Sequence, residues 1–256
     1  MLYHLFTYLD KVFDFPGAGM FYFISFRTGL AFIFALLLST MFGRKIINLL
    51  QKKQIGETIR DLGLEGQMSK KGTPTMGGII IIIAIMVPTL LLAALNNVYI
   101  ILMLITTLWL GIIGFLDDYI KVFRKNKEGL KGRFKIVGQI GLGLIVGLTM
   151  YLSPDIVIRE NIEVKGETTR VEDVLYSKHD VKSTKTTIPF FKNNEFNYAF
   201  LLKWMGDGYE KWAWIIYIPI IIFIIVAVSN GMNLTDGLDG LAISSTAIIG
   251  ATLGIL

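Results

Sequence analysis

The sequence predicts an all-α integral membrane protein: a polytopic helix bundle with five full spans, the start of a sixth, and a small extracytoplasmic insert. Of its 256 residues, 53% are apolar, and the mean hydropathy is +0.59. The apolar residues fall in blocks of roughly twenty, the length that crosses a bilayer as a helix. The basic residues cluster in two short loops, as they do on the cytoplasmic side of membrane proteins. These observations place the chain in the membrane class.

The predicted spans follow the apolar blocks in chain order. The five full spans are Phe21–Phe42, Gly77–Leu95, Val98–Leu116, Phe134–Leu152 and Trp212–Ser229. A sixth begins near Leu241, and we expect it to continue beyond Leu256, because the apolar run reaches that residue without a basic stop. Residues 1–256 are interpreted as a single transmembrane domain, C-terminally truncated, in which residues 153–211 form the insert.

Charge is distributed unevenly among the predicted loops. Residues 43–78 and 117–135 each hold seven of the 25 Lys and Arg residues, whereas residues 153–211 hold nine that are offset by ten acidic residues. The positive-inside rule therefore places both short loops, together with residues 230–240, in the cytoplasm and the insert outside. The net charge of +5 thus reflects membrane sidedness and predicts no nucleic-acid partner. Within the insert, alternating apolar residues in 156–171 predict a β-hairpin. The absence of cysteine excludes a thiolate metal site or nucleophile.

An acidic pair ends the third span. Asp117 and Asp118 follow an apolar run, and Lys121 comes one helical turn after Asp117. Carboxylates are costly near hydrocarbon, so such a pair indicates a functional site. Paired carboxylates bind Mg²⁺ and Mg²⁺ binds phosphates, so the pair predicts a magnesium site and phosphate chemistry. The alternative is a helix-terminal ion pair between Asp117 and Lys121, which share a helix face.

A glycine-rich segment, Lys70–Gly78 (KKGTPTMGG), precedes the second span. Its glycines allow backbone N–H groups to approach an anion, while Lys70 supplies positive charge and Thr75 supplies a hydroxyl donor. The segment therefore predicts an anion-binding site, although it lacks the glycine and lysine order of a P-loop. The alternative is a basic membrane flank followed by a turn.

A basic cluster connects the third and fourth spans. It lies within residues 124–135 and includes Lys125 and Lys135, and Gln139 follows one turn into the fourth span. Lys135 and Gln139 are four residues apart and share one helix face, so we expect both to reach into the bundle and bind substrate. Contact with anionic lipid headgroups is the alternative for the cluster as a whole.

A polar stripe follows the fifth span. Asn233, Asp236 and Asp239 recur every three residues, as they would on one face of an α-helix or 3₁₀-helix. Gly237, which lies between the two aspartates, keeps the backbone accessible. An amide and two carboxylates can hydrogen-bond a nucleobase or a ribose, or they can hold a metal ion. The alternative is a polar helix cap.

Together these motifs resemble the polyprenyl-phosphate N-acetylhexosamine-1-phosphate transferases, and within them the phospho-N-acetylmuramoyl-pentapeptide transferases. The resemblance rests on three segments that occur in order, Lys70–Gly78, Asp117–Lys121 and Asn233–Ala242. It implies a ten-helix enzyme of the bacterial cytoplasmic membrane whose active site faces the cytoplasm. The implied reaction transfers phospho-N-acetylmuramoyl-pentapeptide from its UDP carrier to undecaprenyl phosphate, giving lipid I and UMP for peptidoglycan synthesis. The resemblance also implies Mg²⁺ as cofactor and a homodimer.

The resemblance further implies roles for individual residues. Asp117 and Asp118 match the family's catalytic pair, which lies beside the metal, and the first of them is a candidate base for the lipid phosphate. The implied substrate-binding positions are Lys70, Gly237, Leu238 and Asp239 at the uridine part, Thr75, Asn233 and Asp236 as polar site residues, and Lys121, Lys125 and Lys135 near the phosphates. The family's later metal-binding aspartate and histidine-rich motif do not occur up to Leu256. We therefore expect the site to be incomplete in these 256 residues.

Three alternative functions stay open at this point. A sister enzyme that transfers N-acetylglucosamine-1-phosphate would use the same chemistry and metal, although the sequence Thr73–Gly78 favours the muramoyl branch. A membrane transporter would place charges in the middle of its spans. The ionisable side chains in the second to fifth predicted spans are only tyrosines and Lys135, which lies at the edge of a span. A structural scaffold would bind neither Mg²⁺ nor a nucleotide sugar, and it has no need for all polar motifs to lie on one predicted face.

Overall fold

The structure, a computed structural model, is largely helical and describes residues 1–52, 75–124, 126, 128–157, 161–162, 175–176, 182–187, 195–236 and 240–255. Its seven α-helices in these residues are α1 (Leu2–Phe13), α2 (Ile24–Lys52), α3 (Gly78–Leu92), α4 (Val98–Phe123), α5 (Gly132–Leu152), α6 (Trp214–Thr235) and α7 (Leu241–Ile255). Short 3₁₀ segments occupy Ala18–Tyr22, Tyr198–Met205 and Tyr209–Trp212.

Among the described residues, four helices are long and apolar enough to cross a membrane, namely α2, α4, α5, and α6 with the 3₁₀ segment before it. They confirm the predicted all-α polytopic class. Their apolar side chains point largely outwards; Phe32 on α2 is 66% exposed and Phe223 on α6 is 71% exposed. Such exposed apolar surface suits contact with lipid, because hydrocarbon does not expel apolar side chains as water does.

The second predicted span is shorter than expected. It forms α3, which has 15 residues and rises by about 22 Å, less than the roughly 30 Å of a hydrocarbon core. Pro88 lies inside this helix, and the chain becomes extended at Ala93. The predicted end at Leu95 was therefore three residues too late. The helix α1 at the N-terminus was not predicted at all, because its 12 residues are too few for a span-length apolar block.

The chain divides into two compact units, of which the first is Met1–Lys135. Within it, α3 packs against α1, α2 and α4. The Arg27 guanidinium on α2 donates a hydrogen bond to the Leu92 carbonyl oxygen at 3.4 Å and lies 4.4 Å from the centre of the Tyr3 ring. The last carbonyls of a helix have no partner within it, so Arg27 satisfies one of them at the C-terminal end of α3.

The second unit is Ile136–Leu256, and in it α6 packs closely against α5 and also contacts α7. Gly143 and Gly147 are buried on α5. A Cβ atom at Gly143 would lie only 2.8 Å from Ile222 Cα, and one at Gly147 would lie 3.2 Å from Ile218 Cγ2. Small residues at such positions let two membrane helices approach closely.

The insert contains two antiparallel strand pairs in its described residues. The first joins β1 (Asn161–Ile162) to β2 (Leu175–Tyr176), and the second joins β3 (Lys185–Thr187) to β4 (Glu195–Asn197). The predicted hairpin in residues 156–171 contains β1, but its partner β2 lies beyond that range. The predicted bounds were wrong because the pairing is less local than the alternation of apolar residues suggested.

Candidate active site

Asp117 is a buried carboxylate in the last two turns of α4, and it is 9% exposed. The Lys121 Nζ atom lies 2.9 Å from its Oδ2 atom, and the Lys135 Nζ atom lies 3.0 Å from its Oδ1 atom. The contact with Lys121 follows from the four-residue spacing on α4 and confirms the ion pair that the sequence offered as an alternative. The contact with Lys135 comes from the first turn of α5 and is not local.

The turn between α4 and α5 supplies a third donor to the same carboxylate. The Leu130 N–H group donates to Asp117 Oδ1 at 2.7 Å. We refer to Asp117, Lys121, Leu130 and Lys135 as the Asp117 cluster. The cluster holds one carboxylate and two ammonium groups, and the Asp118 carboxylate follows Asp117 on α4. Because the Lys135 side chain is 25% exposed, an incoming anion can reach its ammonium group.

The entry to α3 lies at the same end of the first unit as the C-terminal turns of α4. Met76 is buried against Leu50 of α2, and Val122 of α4 packs against this pair. Met76 has a positive φ of 69°, a backbone conformation that is uncommon for residues other than glycine. The packing of Met76 therefore ties the end of the glycine-rich segment to the helix that carries the acidic pair.

Thr75, a predicted substrate-binding residue, precedes this anchored methionine. Within the described part of the chain, its Oγ1 atom is buried and has no hydrogen-bond partner. A buried hydroxyl without a partner costs free energy, so a group that hydrogen-bonds it on binding would recover that cost. This geometry agrees with a polar ligand near Thr75, and the predicted role of the residue stays a prediction.

The two carboxylates of the acidic pair are too few to complete the coordination of a magnesium ion. Across the ranges that the structure describes, no three His, Cys, Asp or Glu side chains form a metal-binding group. Asp118 is half-buried beside Asp117 on α4. Mg²⁺ commonly uses one or two protein carboxylates and completes its octahedron with water and substrate phosphates. Both Asp117 oxygens already contact lysine or backbone donors, and magnesium binding at Asp117 and Asp118 stays a prediction.

Gln139 forms a separate polar network in the second unit, together with Ser229 and Asn230 of α6. It is 5% exposed. Its Nε2 atom donates to Ser229 Oγ at 3.0 Å, and its Oε1 atom accepts from Asn230 Nδ2 at 2.9 Å. Asn230 also donates to the Val226 carbonyl oxygen at 2.8 Å. The amide of Gln139 is thus occupied by contacts between helices, and its predicted role in substrate binding stays a prediction.

The polar stripe after the fifth span is only partly described. Asn233 lies in the last turn of α6, which ends at Thr235, and Asp236 is the first residue beyond it. Both side chains are exposed. Gly240 has a positive φ of 80° immediately before α7. The predicted site residues that lie outside the described residues are Lys70, Lys125, Gly237, Leu238 and Asp239.

Sequence reasoning did not identify three of the groups that contact predicted site residues. Leu130 contributes through its backbone N–H group, so its side chain gives no signal. Ser229 and Asn230 contact Gln139 across two helices. The sequence shows a polar residue, Asn230, directly after the fifth predicted span. Its contact with Gln139 follows from the packing of α5 on α6 and has no signal in the sequence.

Comparisons with known proteins agree with these features. The family model for glycosyl transferase family 4 matches residues 100–256, more than half of the chain. A second model, signature 1 of phospho-N-acetylmuramoyl-pentapeptide transferase, matches residues 70–82, where the glycine-rich segment lies.

Several curated relatives are similar over the whole chain. The phospho-N-acetylmuramoyl-pentapeptide transferases of Parabacteroides distasonis and Flavobacterium psychrophilum are 66% and 61% identical to it, and each match covers 100% of this chain. The enzyme of the same name from Bacteroides fragilis is 59% identical, again over 100% of the chain. The chain spans 61%, 63% and 60% of the lengths of these three relatives.

Proposed function

The chain belongs to glycosyl transferase family 4, and from this premise we propose that it carries part of a phospho-N-acetylmuramoyl-pentapeptide transferase. The proposed reaction moves phospho-N-acetylmuramoyl-pentapeptide from UDP to undecaprenyl phosphate and releases UMP. The relatives that match the whole chain bear this name, which supports the assignment. The proposed location is the bacterial cytoplasmic membrane, with the reaction on the cytoplasmic face, because the polar motifs share the side that the positive-inside rule assigns to the cytoplasm.

The single observation that carries this proposal is the Asp117 cluster. A carboxylate held by two lysines and a backbone N–H group, at the end of a span-length apolar helix, combines charge for phosphate with contact to the membrane. A lipid phosphate can reach such a site from the bilayer while its hydrocarbon tail stays in the membrane. A soluble substrate with a diphosphate can reach it from the water.

In the proposed mechanism, an oxygen of the lipid phosphate attacks the sugar-linked phosphorus of the UDP-sugar. A new phosphorus–oxygen bond forms, the bond to the UMP oxygen breaks, and UMP leaves with the bonding electrons. Phosphoryl transfer requires mainly positioning and charge stabilisation from the protein. Lys121 and Lys135 would bind the phosphate oxygens, exchanging part of their contact with Asp117 for the anion.

Asp117 has three roles in this proposal. Its carboxylate holds the two ammonium groups beside the site before substrate enters, which reduces the cost of ordering them later. Once the lysines turn towards the phosphates, a carboxylate oxygen becomes available to accept the proton of a protonated lipid phosphate. Asp117 and Asp118 would hold Mg²⁺, which when bound supplies charge neutralisation at the phosphate oxygens.

We propose that the nucleotide part of the substrate is bound by residues of the glycine-rich segment and of the polar stripe. Thr75 offers a buried hydroxyl that lacks a partner among the described residues. Lys70, Asn233, Asp236 and the segment 237–239 are assigned to the uridine part and its neighbours because they match the family motifs. We expect the Asp239→Ala variant to raise the KM for the nucleotide sugar more than that for the lipid. An unchanged nucleotide KM would contradict this assignment.

The proposal is tested with membranes that contain the complete gene product and undecaprenyl phosphate. UMP release is measured from UDP-N-acetylmuramoyl-pentapeptide and, separately, from UDP-N-acetylglucosamine, each with Mg²⁺ or with EDTA. We expect release only from the muramoyl substrate, and only with Mg²⁺. Release from the other sugar nucleotide would assign the protein to the sister branch, and release from neither would refute the proposed activity.

A further inference from the structure

The turn that joins α4 to α5 has an unusual backbone where it meets Asp117. Gly129 has a φ of +68°, in the left-handed region that residues with a Cβ atom rarely adopt. The Asn126 side chain accepts a hydrogen bond from the Glu128 N–H group at 3.1 Å, and the Asn126 carbonyl accepts one from the Gly129 N–H group at 3.0 Å. Both contacts stabilise the turn from within, as an Asn side chain commonly does.

This conformation directs the next N–H group at the carboxylate. Leu130 follows Gly129, and its N–H donates to Asp117 Oδ1 at 2.7 Å, a short and therefore strong contact to a charged acceptor. The two lysines can rotate about their long side chains, whereas the backbone donor has a fixed position. The Leu130 N–H group is consequently the least mobile of the three donors that contact the carboxylate.

The approach of the turn leaves no room for a side chain at residue 129. A Cβ atom built on Gly129 would collide with Asp117 Oδ1, and it would lie 2.8 Å from Lys121 Cε and 3.1 Å from Asp117 Cγ. Lys121 could move aside, but its ammonium group would then leave Asp117. The carboxylate itself could move only by breaking its contact with Leu130.

We propose that Gly129 is a positioning residue for Asp117: its missing side chain and left-handed backbone set the orientation of the carboxylate between Lys121 and Lys135. The inference rests on the proposed function for its consequence in catalysis. Its structural part, the hold of the turn on Asp117, can be measured without any turnover. Displacement of a reacting group by about 1 Å can cost about 10²-fold in rate, so a shifted carboxylate should lower kcat.

The test uses the complete gene product and two substitutions at this position. Gly129→Ala adds the Cβ atom and also disfavours the positive φ, whereas Gly129→Asn adds the same atom to a residue that tolerates positive φ better. Two matched controls are available on the chain. Gly132→Ala adds a Cβ atom in open space at the start of α5, and Gly208→Ala adds one in open space at a φ of +86°. Asp117→Ala removes the acceptor itself.

The first measurement is the hydrogen-exchange rate of the Leu130 amide, resolved to single residues by mass spectrometry. We expect Gly129→Ala, Gly129→Asn and Asp117→Ala to raise this rate at least about tenfold, because each removes or displaces the acceptor. Gly132→Ala and Gly208→Ala should leave it unchanged. Equal rates in the Gly129 variants and the Gly208→Ala control would overturn the proposal. If Gly129→Ala does not fold, Gly129→Asn and Asp117→Ala still decide the matter.

The second measurement is the transfer reaction, with kcat and KM determined separately. We expect both Gly129 variants to lower kcat by about 10²-fold with little change in the KM for the nucleotide sugar, because they displace Asp117 and Lys121 but none of the residues assigned to the uridine part. A general loss of stability would instead lower the fraction of folded enzyme, which thermal unfolding of the same preparations measures. An unchanged kcat alongside faster exchange would contradict the role in catalysis. If the parent protein shows no transfer, the proposed function fails, and the exchange rates alone decide whether the turn holds Asp117.

Discussion

Two polar clusters lie among the apolar helices, and they differ in charge and in completeness. The Asp117 cluster in the first unit joins one carboxylate to two ammonium groups and a backbone N–H. The Gln139 network in the second unit joins neutral groups, which satisfy each other across α5 and α6. The first has charged donors and a partly exposed lysine, whereas the second is neutral and its amide is occupied.

This difference separates a site that can gain from a ligand from one that holds helices together. A neutral, mutually bonded network gains little when another polar molecule approaches, because its donors and acceptors already have partners. A cluster with charged donors, one of them partly exposed, gains when an anion binds, and it keeps its donors oriented until then. The charge and exposure of the donors in a polar cluster are thus useful indicators of its role.

The largest effect should come from removing the charge at the centre of the Asp117 cluster. We expect Asp117→Asn to lower turnover by about 10²- to 10³-fold, the range for losing one preorganised electrostatic group, while the protein still folds. Asp118→Asn should have an effect of similar size if it shares the metal. UMP release and thermal unfolding measured on the same preparations test this, and near-normal turnover in either variant would refute a catalytic role for that residue.

A smaller effect is expected from removing one of the lysines. Lys135→Met leaves Asp117 paired with Lys121 but removes the partly exposed ammonium group, so transition-state stabilisation for the anionic substrate should weaken and kcat/KM should fall about tenfold. Lys131→Met removes an exposed charge from the same loop and serves as the matched control. Equal losses in both variants would indicate a general effect of loop charge instead of a specific role for the cluster.

Substitutions that disturb the packing of α5 on α6 should lower the stability of the protein more than its activity. Gly143→Ala places a Cβ atom 2.8 Å from Ile222 Cα, and we expect a loss of about 1–3 kcal/mol of unfolding free energy. Gly147→Ala, whose nearest contact would be 3.2 Å from a side-chain methyl, should cost less. Denaturation in detergent measures both. A larger loss for Gly147→Ala would show that the approach of the helices is not governed by this contact.

The smallest effect is expected at Gln139, and it bears most directly on the comparison. Gln139→Leu removes the donor to Ser229 and one of the two acceptors of Asn230, which should cost about 1 kcal/mol of stability, since hydrogen bonds between membrane helices are individually modest. Turnover of the folded protein should remain close to normal. Should turnover collapse while the unfolding temperature is unchanged, Gln139 would instead act in substrate binding, as the sequence predicted.

Local spacing accounts for the parts of the structure that the sequence predicted well. The apolar blocks identified the regions of α2, α4, α5 and α6, and the four-residue interval between Asp117 and Lys121 predicted their shared helix face. The resemblance to a known family added the functional assignment, since spacing alone cannot distinguish a magnesium site from an ion pair.

Non-local geometry explains what the sequence did not predict. Lys135 reaches Asp117 only because the turn at residues 126–130 reverses the chain, and the Leu130 donor belongs to the backbone. The strand β2 lies beyond the predicted hairpin because its pairing with β1 closes a longer loop. The occupied amide of Gln139 depends on which residues of α6 face α5, and one sequence contains no direct signal for that choice.

The hydrogen bonds of Gln139 also set the axial register of two helices. A slide of α6 along α5 by one turn, about 5.4 Å, would replace Asn230 by Val226 or Leu234 at the same height. Either apolar residue would leave the Gln139 Oε1 atom without the Asn230 donor, and an unpaired buried amide oxygen costs free energy. A slide of one turn in either direction is therefore opposed, and the C-terminal end of α6, from which Asn233 and Asp236 extend, is kept at a constant depth relative to α5. A neutral network without chemistry of its own can in this way determine how far into the membrane surface a polar loop is presented.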